Sequence, residues 1–232
     1  MSGAVIAIDG PSASGKSSTA RAVAEALGYA HLDSGALYRG VTLVALTEAL
    51  REGAADPLAL GAEGILRAAE DRGLSLHSDG VGYAAYLDGV PVDAALRAAE
   101  VTRNVSAVSA VPVVREWVNS QLRRLVRAGQ DVVVDGRDIG TVVFPDADLK
   151  IFLTASPTAR AGRRLSQRGQ RTIQEEVDRE AALLEGRDRA DSSRAVAPLR
   201  RADDALELDT TGMTFDEAVA WILERARSVF GG

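Results

Sequence analysis

The chain contains no cysteine, which removes disulfide frameworks, thiolate nucleophiles and every metal site built on sulfur. Its two histidines, His31 and His77, are too few and too distant in sequence to cage a metal by themselves, so oxygen-bound Mg²⁺ is the metal to expect. Aromatics are scarce as well. Four Phe, four Tyr and two Trp stand in a chain that is 46% hydrophobic, which leaves the interior to Ala, Val, Leu and Ile and suits helices laid on a parallel sheet. No apolar run approaches membrane-spanning length, and the N-terminus shows no basic segment followed by a secretory hydrophobic stretch; the expected location is the cytoplasm, with no membrane partner. The net charge of −6 argues against a broad nucleic-acid surface, although local arginines can still hold a small anion. A length of 232 residues fits one α/β domain with insertions better than two full enzyme domains.

Lysine is almost missing: Lys16 and Lys150 are the only two. Lys16 belongs to Gly10-Pro11-Ser12-Ala13-Ser14-Gly15-Lys16-Ser17, a match to G-x-x-x-x-G-K-[ST] that follows the apolar run Ala4–Ile8 and precedes a helical stretch, Ser18–Leu27. Strand, glycine loop and helix in that order make a phosphate-binding loop. The glycines let backbone N–H groups turn toward phosphates, Lys16 adds a point charge, and Ser17 offers a hydroxyl to Mg²⁺ at a helix N-terminus.

Beyond Leu27 a helical pattern runs through Leu37, Val41, Val44 and Leu50 to Gly53, and Asp56-Pro57 is a cap and first-turn pair for another helix reaching Gly73. Three short β-like runs, 74–77, 81–87 and 90–92, are separated by Ser78-Asp79-Gly80 and Asp88-Gly89, and read as a small antiparallel insertion. Helical periodicity returns from Asp93 to Ala128, broken near Val111-Pro112. Strands follow at 131–135, 149–153 and 205–208. Ser156-Pro157 starts a helix, Thr172-Ile173-Gln174-Glu175 reads as a capping box for a helix ending at Leu184, and an irregular stretch runs from Gly186 to Pro198. Thr214–Glu217 caps a last helix whose Phe215, Val219, Ile222, Leu223 and Ala226 share one face. The alternation predicts an α/β fold with a parallel sheet covered by helices on both faces and ligands at the carboxyl ends of its strands. We expect a core of 1–55, 100–158 and 198–232, an insertion at about 56–99 and a helical lid at about 159–197.

Two further clusters fall where such a sheet places its site. Asp135-Gly136-Arg137-Asp138 ends an all-valine strand, where a carboxylate can join the Mg²⁺ shell, Asp135 through water, and an arginine can meet a phosphate. Between Arg160 and Arg201 there are eleven arginines against seven acidic residues. Some of them pair on a solvated face, as Glu175 can with Arg179; the rest suit a mobile flap that stabilises a transferring phosphoryl group and excludes water. Residues 153 to 214 hold no Phe, Tyr or Trp on which bases could stack, which weighs against nucleic acid as partner. A kinase, a regulatory GTPase and an RNA-associated NTPase all remain open on these grounds, although the Asn-Lys-x-Asp expected of a guanine site is absent: Lys150 follows Leu149.

Taken together, 9–17, Leu32-Asp33-Ser34-Gly35-Ala36-Leu37-Tyr38-Arg39, the segment 135–145 and Arg194-Ala195-Val196-Ala197-Pro198-Leu199 resemble the bacterial cytidylate kinase family over nearly the whole chain. The resemblance implies the P-loop NTPase fold, with the β insertion as the nucleotide-monophosphate domain, and transfer of phosphate from ATP·Mg²⁺ to CMP or dCMP; separately, a monomer is the expected state. A kinase for another nucleoside monophosphate or a small metabolite is the nearest rival. By residue, it implies ATP contacts at Gly10, Pro11, Ser12, Ala13, Ser14, Gly15, Lys16, Ser17, Ser18 or Thr19, and Arg160. It implies acceptor-phosphate contacts at Ser34, Arg39 and Arg137, sugar contacts at Asp138 and Arg187, and cytosine contacts at Ser106, Arg115 and Asp191. Arg194, with one or more of Arg160, Arg163 and Arg164, matches the lid arginines. Lys16, Asp135, Arg137, Arg187 and Arg194 are the residues implied in catalysis.

Overall fold

The computed structural model describes residues 3–126 and 129–231. In chain order its elements are β1 (Val5–Asp9), α1 (Lys16–Leu27), β2 (Ala30–Asp33), α2 (Ser34–Arg51), a 3-10 turn (Pro57–Leu60), α3 (Gly61–Asp71), β3 (Ser75–Ser78), β4 (Tyr83–Leu87) and β5 (Val90–Pro91). There follow α4 (Asp93–Leu96), α5 (Ala99–Val108), α6 (Pro112–Val126), β6 (Val132–Gly136), a π-helical turn (Ile139–Val143), β7 (Leu149–Thr154), α7 (Pro157–Gln167), α8 (Gln174–Ser192), β8 (Leu206–Asp209) and α9 (Phe215–Phe230). The chain divides into two compact units: Gly3–His31 joined with Gln130–Gly232, and Leu32–Gly129. Among the described residues no helix is long and apolar enough to cross a membrane.

A mostly parallel five-stranded sheet, ordered β2-β6-β1-β7-β8, organises the first of these units. β1 is buried along its whole length, which is why Val5–Ile8 are continuously apolar rather than alternating, with the buried Asp9 closing the strand. It pairs in parallel with β6, Asp9 facing Gly136, and with β7, Asp9 facing Phe152, so three strand ends arrive at one edge. α1 and α9 close over β1, β6 and β7 through Val23, Ala24, Ile222 and Ala226, which pack with Ile6, Ile8, Val133, Ile151 and Leu153. The Thr214 capping box of α9 forms in both directions with Glu217. Phe215 departs from the expected buried face: it is half exposed, because it occupies the first turn and the covered stripe begins at Ala218.

α8 corrects two expectations. Thr172 makes no capping box. The helix starts at Gln174 without a side-chain cap, and Glu175 instead accepts from Arg179 one turn on, at 3.1 Å. Gly186 does not end the helix either, and α8 continues to Ser192. A glycine in a helix costs about 1 kcal/mol, and packing overrides that here: Leu184 and Asp191, seven residues apart on one face, are both buried. Only the segment after Ser192 is irregular.

In the second unit the meander is present, with β3, β4 and β5 antiparallel in that order. Asp88 and Gly89, both at positive φ (53° and 76°), make its tight turn, as the Asp-Gly pair favours. The single helix expected from Asp56 to Gly73 is two pieces. Asp56 caps the 3-10 turn through the Leu58 N–H, and Gly61, at φ 67° and ψ 164°, breaks the path before α3. The stretch from Asp93 breaks near Val111, as expected, and once more between α4 and α5; its expected end at Ala128 lies outside the described residues.

Candidate active site

The loop between β1 and α1 is shaped by two glycines for different reasons. A Cβ on Gly10 would stand 2.1 Å from the Leu153 carbonyl oxygen of the adjoining strand, and Gly15 holds φ +94°, which a side chain rarely tolerates. Ala13, at φ 60°, carries strain that only a supported loop retains. Lys16 is buried, and its ammonium donates across the loop to the Pro11 carbonyl at 3.0 Å. Ser17 Oγ donates to Asp135 Oδ2 at 2.5 Å. His31 Nε2 lies 2.8 Å from the other oxygen, Asp135 Oδ1. Burial pushes the Asp135 carboxyl up, but the His31 hydrogen bond and charge, with Lys16 and Ser17, outweigh it and hold the group below its ordinary value. Asp135 is thus a buried carboxylate aimed at the first hydroxyl of α1.

Two residues of this edge were not singled out by the sequence. His31, one of only two histidines, orients Asp135, 104 residues away. Asp9 opens the 9–17 motif, but the motif alone gives it no partner. Both its oxygens accept backbone N–H groups at 2.8 Å, one from Ile139 and one from Gly140, and so fix the turn that follows Asp138. Its pKa is raised from 3.8 to about 6 by burial, partly offset by those two bonds. Strand-end position and a distant turn could only be joined once β1 and β6 were known to be neighbours.

The arginines divide by what they touch. Asp191, 2% exposed, accepts from Arg137 Nε at 3.1 Å and from Arg194 Nη2 at 2.5 Å, so two residues implied in acceptor binding are brought together with one implied as a lid arginine. Asp138 is buried beside them in sequence, and Arg187 is half-buried on α8. The α7 arginines reach the loop itself. Arg160 donates to the carbonyls of Ala155 and Ser12 and pairs with Asp188, with 5% of its surface exposed. Arg163 donates to Ser14 O at 3.4 Å and to Thr210, and Arg164 pairs with Glu180 at 3.0 Å. Arg160 therefore supports the loop's backbone, where the resemblance had it facing ATP. Ser17 and Ser18 are exposed, whereas Ser12 and Ser14 are buried.

The Leu32–Gly129 unit holds its own set. Asp33 caps α2 by accepting the Gly35 N–H at 2.8 Å, which places Ser34 at the helix start. One turn on, Arg39 donates to Leu96 O at 3.2 Å and Thr102 Oγ1 at 3.1 Å. Arg115 of α6 is 2% exposed, lies 5.3 Å over the Tyr38 ring and donates to Ser109 O, while Ser106 is half-buried on α5.

The donor set suits a magnesium nucleotide. Ser14 Oγ is buried inside the loop with no protein hydrogen-bond partner, and the Ser17–Asp135 pair presents hard oxygen donors. Among the described residues no group of three or more His, Asp or Glu could hold a metal by protein alone. Mg²⁺ does not require one, since it takes one or two protein oxygens and completes its shell with phosphates and water.

A parallel sheet with this loop, a buried strand-end carboxylate on its serine and arginines converging on the same edge defines a P-loop phosphotransferase. A family model described as cytidylate kinase matches residues 6–228, and the chain belongs to that family. Curated relatives include the cytidylate kinases of Streptococcus pyogenes serotype M18 (strain MGAS8232), 43% identical, and of Streptococcus gordonii, 44% identical. Each alignment spans 225 residues, 97% of this chain and 96% of the relative. Among solved structures, a gluconokinase from Sinorhizobium meliloti 1021 is similar with a TM-score of 0.49 at 17% identity, covering 99% of this chain and 94% of that one.

Proposed function

We propose that the chain transfers the γ-phosphoryl group of ATP to the 5′-phosphate of CMP, and of dCMP, releasing ADP, as a cytoplasmic monomer. The observation that carries this reading is membership of the cytidylate kinase family across residues 6–228. On the donor side, residues 10–18 hold the phosphates of ATP, Lys16 neutralises them, and Ser17 with Asp135, the latter through water, would hold Mg²⁺. When bound, Mg²⁺ supplies further neutralisation of charge on the donor phosphates.

On the acceptor side, Arg137 binds the CMP phosphate, a role the family resemblance implies for Ser34 and Arg39 as well, and Arg194 serves as a lid arginine for the transferring phosphoryl group. Arginine serves here because its planar fork meets phosphate oxygens two at a time. Asp138 and Arg187 bind the sugar. Ser106, Arg115 and Asp191 read cytosine, with Asp191 accepting from the exocyclic amine that uracil lacks. For Asp191 to do so, an oxygen now held by Arg137 or Arg194 is released to the base, which frees that guanidinium for a phosphate group. No general base is needed, because a nucleotide monophosphate is largely dianionic near neutral pH; alignment and charge neutralisation lower the barrier. A coupled ADP-release assay with ATP·Mg²⁺ and CMP, dCMP, UMP, AMP, GMP or shikimate tests the reading. It predicts turnover highest with CMP and dCMP; equal or faster turnover with any other acceptor contradicts it.

A further inference from the structure

The Ser12 peptide is gripped on both of its polar groups. Its N–H donates to Asp188 Oδ1 at 2.9 Å, and its carbonyl accepts from Arg160 Nη1 at 3.0 Å. The same guanidinium nitrogen pairs with Asp188 Oδ2, so carboxylate and guanidinium close a ring around the backbone of one residue, holding the N–H of one peptide unit and the carbonyl of the next. The ring is largely dry: the Ser12 and Arg160 residues are 3% and 5% exposed, and the Asp188 side chain 16%. Arg160 is fixed from behind by the Ala155 carbonyl at 3.1 Å. Nothing in phosphoryl transfer as described above uses Asp188, and a carboxylate beside a phosphate loop repels the ligand unless a cation neutralises it. Arg160 is that cation.

We propose that Asp188, together with Arg160, is a positioning residue for the phosphate loop. It holds the Ser12 backbone at the entry to Ala13, whose φ of 60° is strained and needs support from its surroundings. The loop is thereby set before nucleotide arrives, which lowers the ordering cost of binding. Asp188 sits on α8 between Arg187 and Asp191, so the clamp ties the loop to the helix that carries those residues. The clamp deepens the ATP-binding reading and rests on it for its effect on binding.

The test uses the full chain with Asp188→Ala, Asp188→Asn, Arg160→Gln and the Arg160→Gln/Asp188→Asn double variant. Amide hydrogen exchange at Ser12 is measured in the ligand-free protein, with Ile6 and Val133 of the sheet as folding references. Steady-state kinetics are measured with ATP and CMP varied separately. Asp188→Ala is expected to speed Ser12 exchange at least tenfold with the references unchanged, and to raise KM for ATP at least fivefold more than KM for CMP. Asp188→Asn, which keeps an acceptor oxygen for Ser12, recovers most of the Ser12 protection. The double variant is no worse than the worse single one, because the two residues act as a pair. Unchanged Ser12 exchange, equal rises in the two KM values, or strictly additive effects overturn the proposal. Ser12 exchange reads the clamp without any turnover, so a wild-type chain that failed to phosphorylate CMP would count against the function and leave this readout standing.

Discussion

Ser17 Oγ donates to Asp135 Oδ2 at 2.5 Å, joining the first turn of α1 to the end of β6 across 118 residues. A hydroxyl placed by the phosphate loop and a buried carboxylate placed by the neighbouring strand meet there because β1 and β6 run parallel in register, Ile8 facing Asp135.

Removing the Lys16 charge or the Ser17 hydroxyl should slow transfer without unfolding the chain. Lys16→Met and Ser17→Ala are each expected to lower kcat about 10²- to 10³-fold, the usual loss when a preorganised electrostatic contact is removed. Circular dichroism should be unchanged. Asp135→Ala should cost stability as well, about 1–3 kcal/mol, because it strands the His31 and Ser17 donors; urea unfolding reads that difference.

Asp9 makes stability depend on pH in a stated direction. Its folded-state pKa is raised from 3.8 to about 6, so the folded chain holds a proton that the unfolded chain releases between those values. This contribution is fully present below about 3.8 and is lost as pH rises through about 6. Asp9→Asn removes it. The Tm of wild type minus that of Asp9→Asn should therefore fall as pH is raised from about 4 to 7; a difference that is flat or rising refutes the assignment.

At Gly10 the constraint is steric. Gly10→Ala puts a methyl 2.1 Å from Leu153 O, a backbone atom that cannot swing aside. The expected outcome is a loss of about 1–3 kcal/mol in denaturant unfolding, as for other overpacked sites, together with weakened ATP binding by titration calorimetry. Gly15→Ala meets no steric neighbour within 4 Å, yet it is strained at φ +94° and should also lose ATP affinity.

Asp191→Asn should weaken selection for CMP over UMP by roughly ten- to a hundredfold, the cost of about 1–3 kcal/mol for an unpaired buried group. KM for ATP should stay within about twofold, because Asp191 bonds Arg137 and Arg194 rather than the loop. Unchanged CMP/UMP selectivity removes Asp191 from the base site.

How far the sequence could be read follows from how local each feature is. Gly10–Ser17, the Ser156-Pro157 start of α7 and the Thr214 capping box depend on neighbours within a few residues, and all three are in place. Asp135 was legible because a carboxylate ended an all-valine strand in a chain with a phosphate loop. The persistence of α8 through Gly186 was not, because it is decided by tertiary partners: Asp188 meets Arg160 and Asp191 meets Arg137. For the same reason the α7 arginines read as solvated or lid residues, although Arg160 is buried against Ser12, 148 residues earlier. Asp9 and His31 were invisible as partners until strand order placed them beside the 132–140 segment.

The most direct test of the central claim is product analysis by ion-exchange chromatography after incubating the purified chain with ATP, Mg²⁺ and CMP. The account predicts CDP and ADP in equal amounts, none when Mg²⁺ is chelated, and almost none in Lys16→Met. ADP accompanied by inorganic phosphate, with CMP left unchanged, would make the chain an ATP hydrolase and contradict the account.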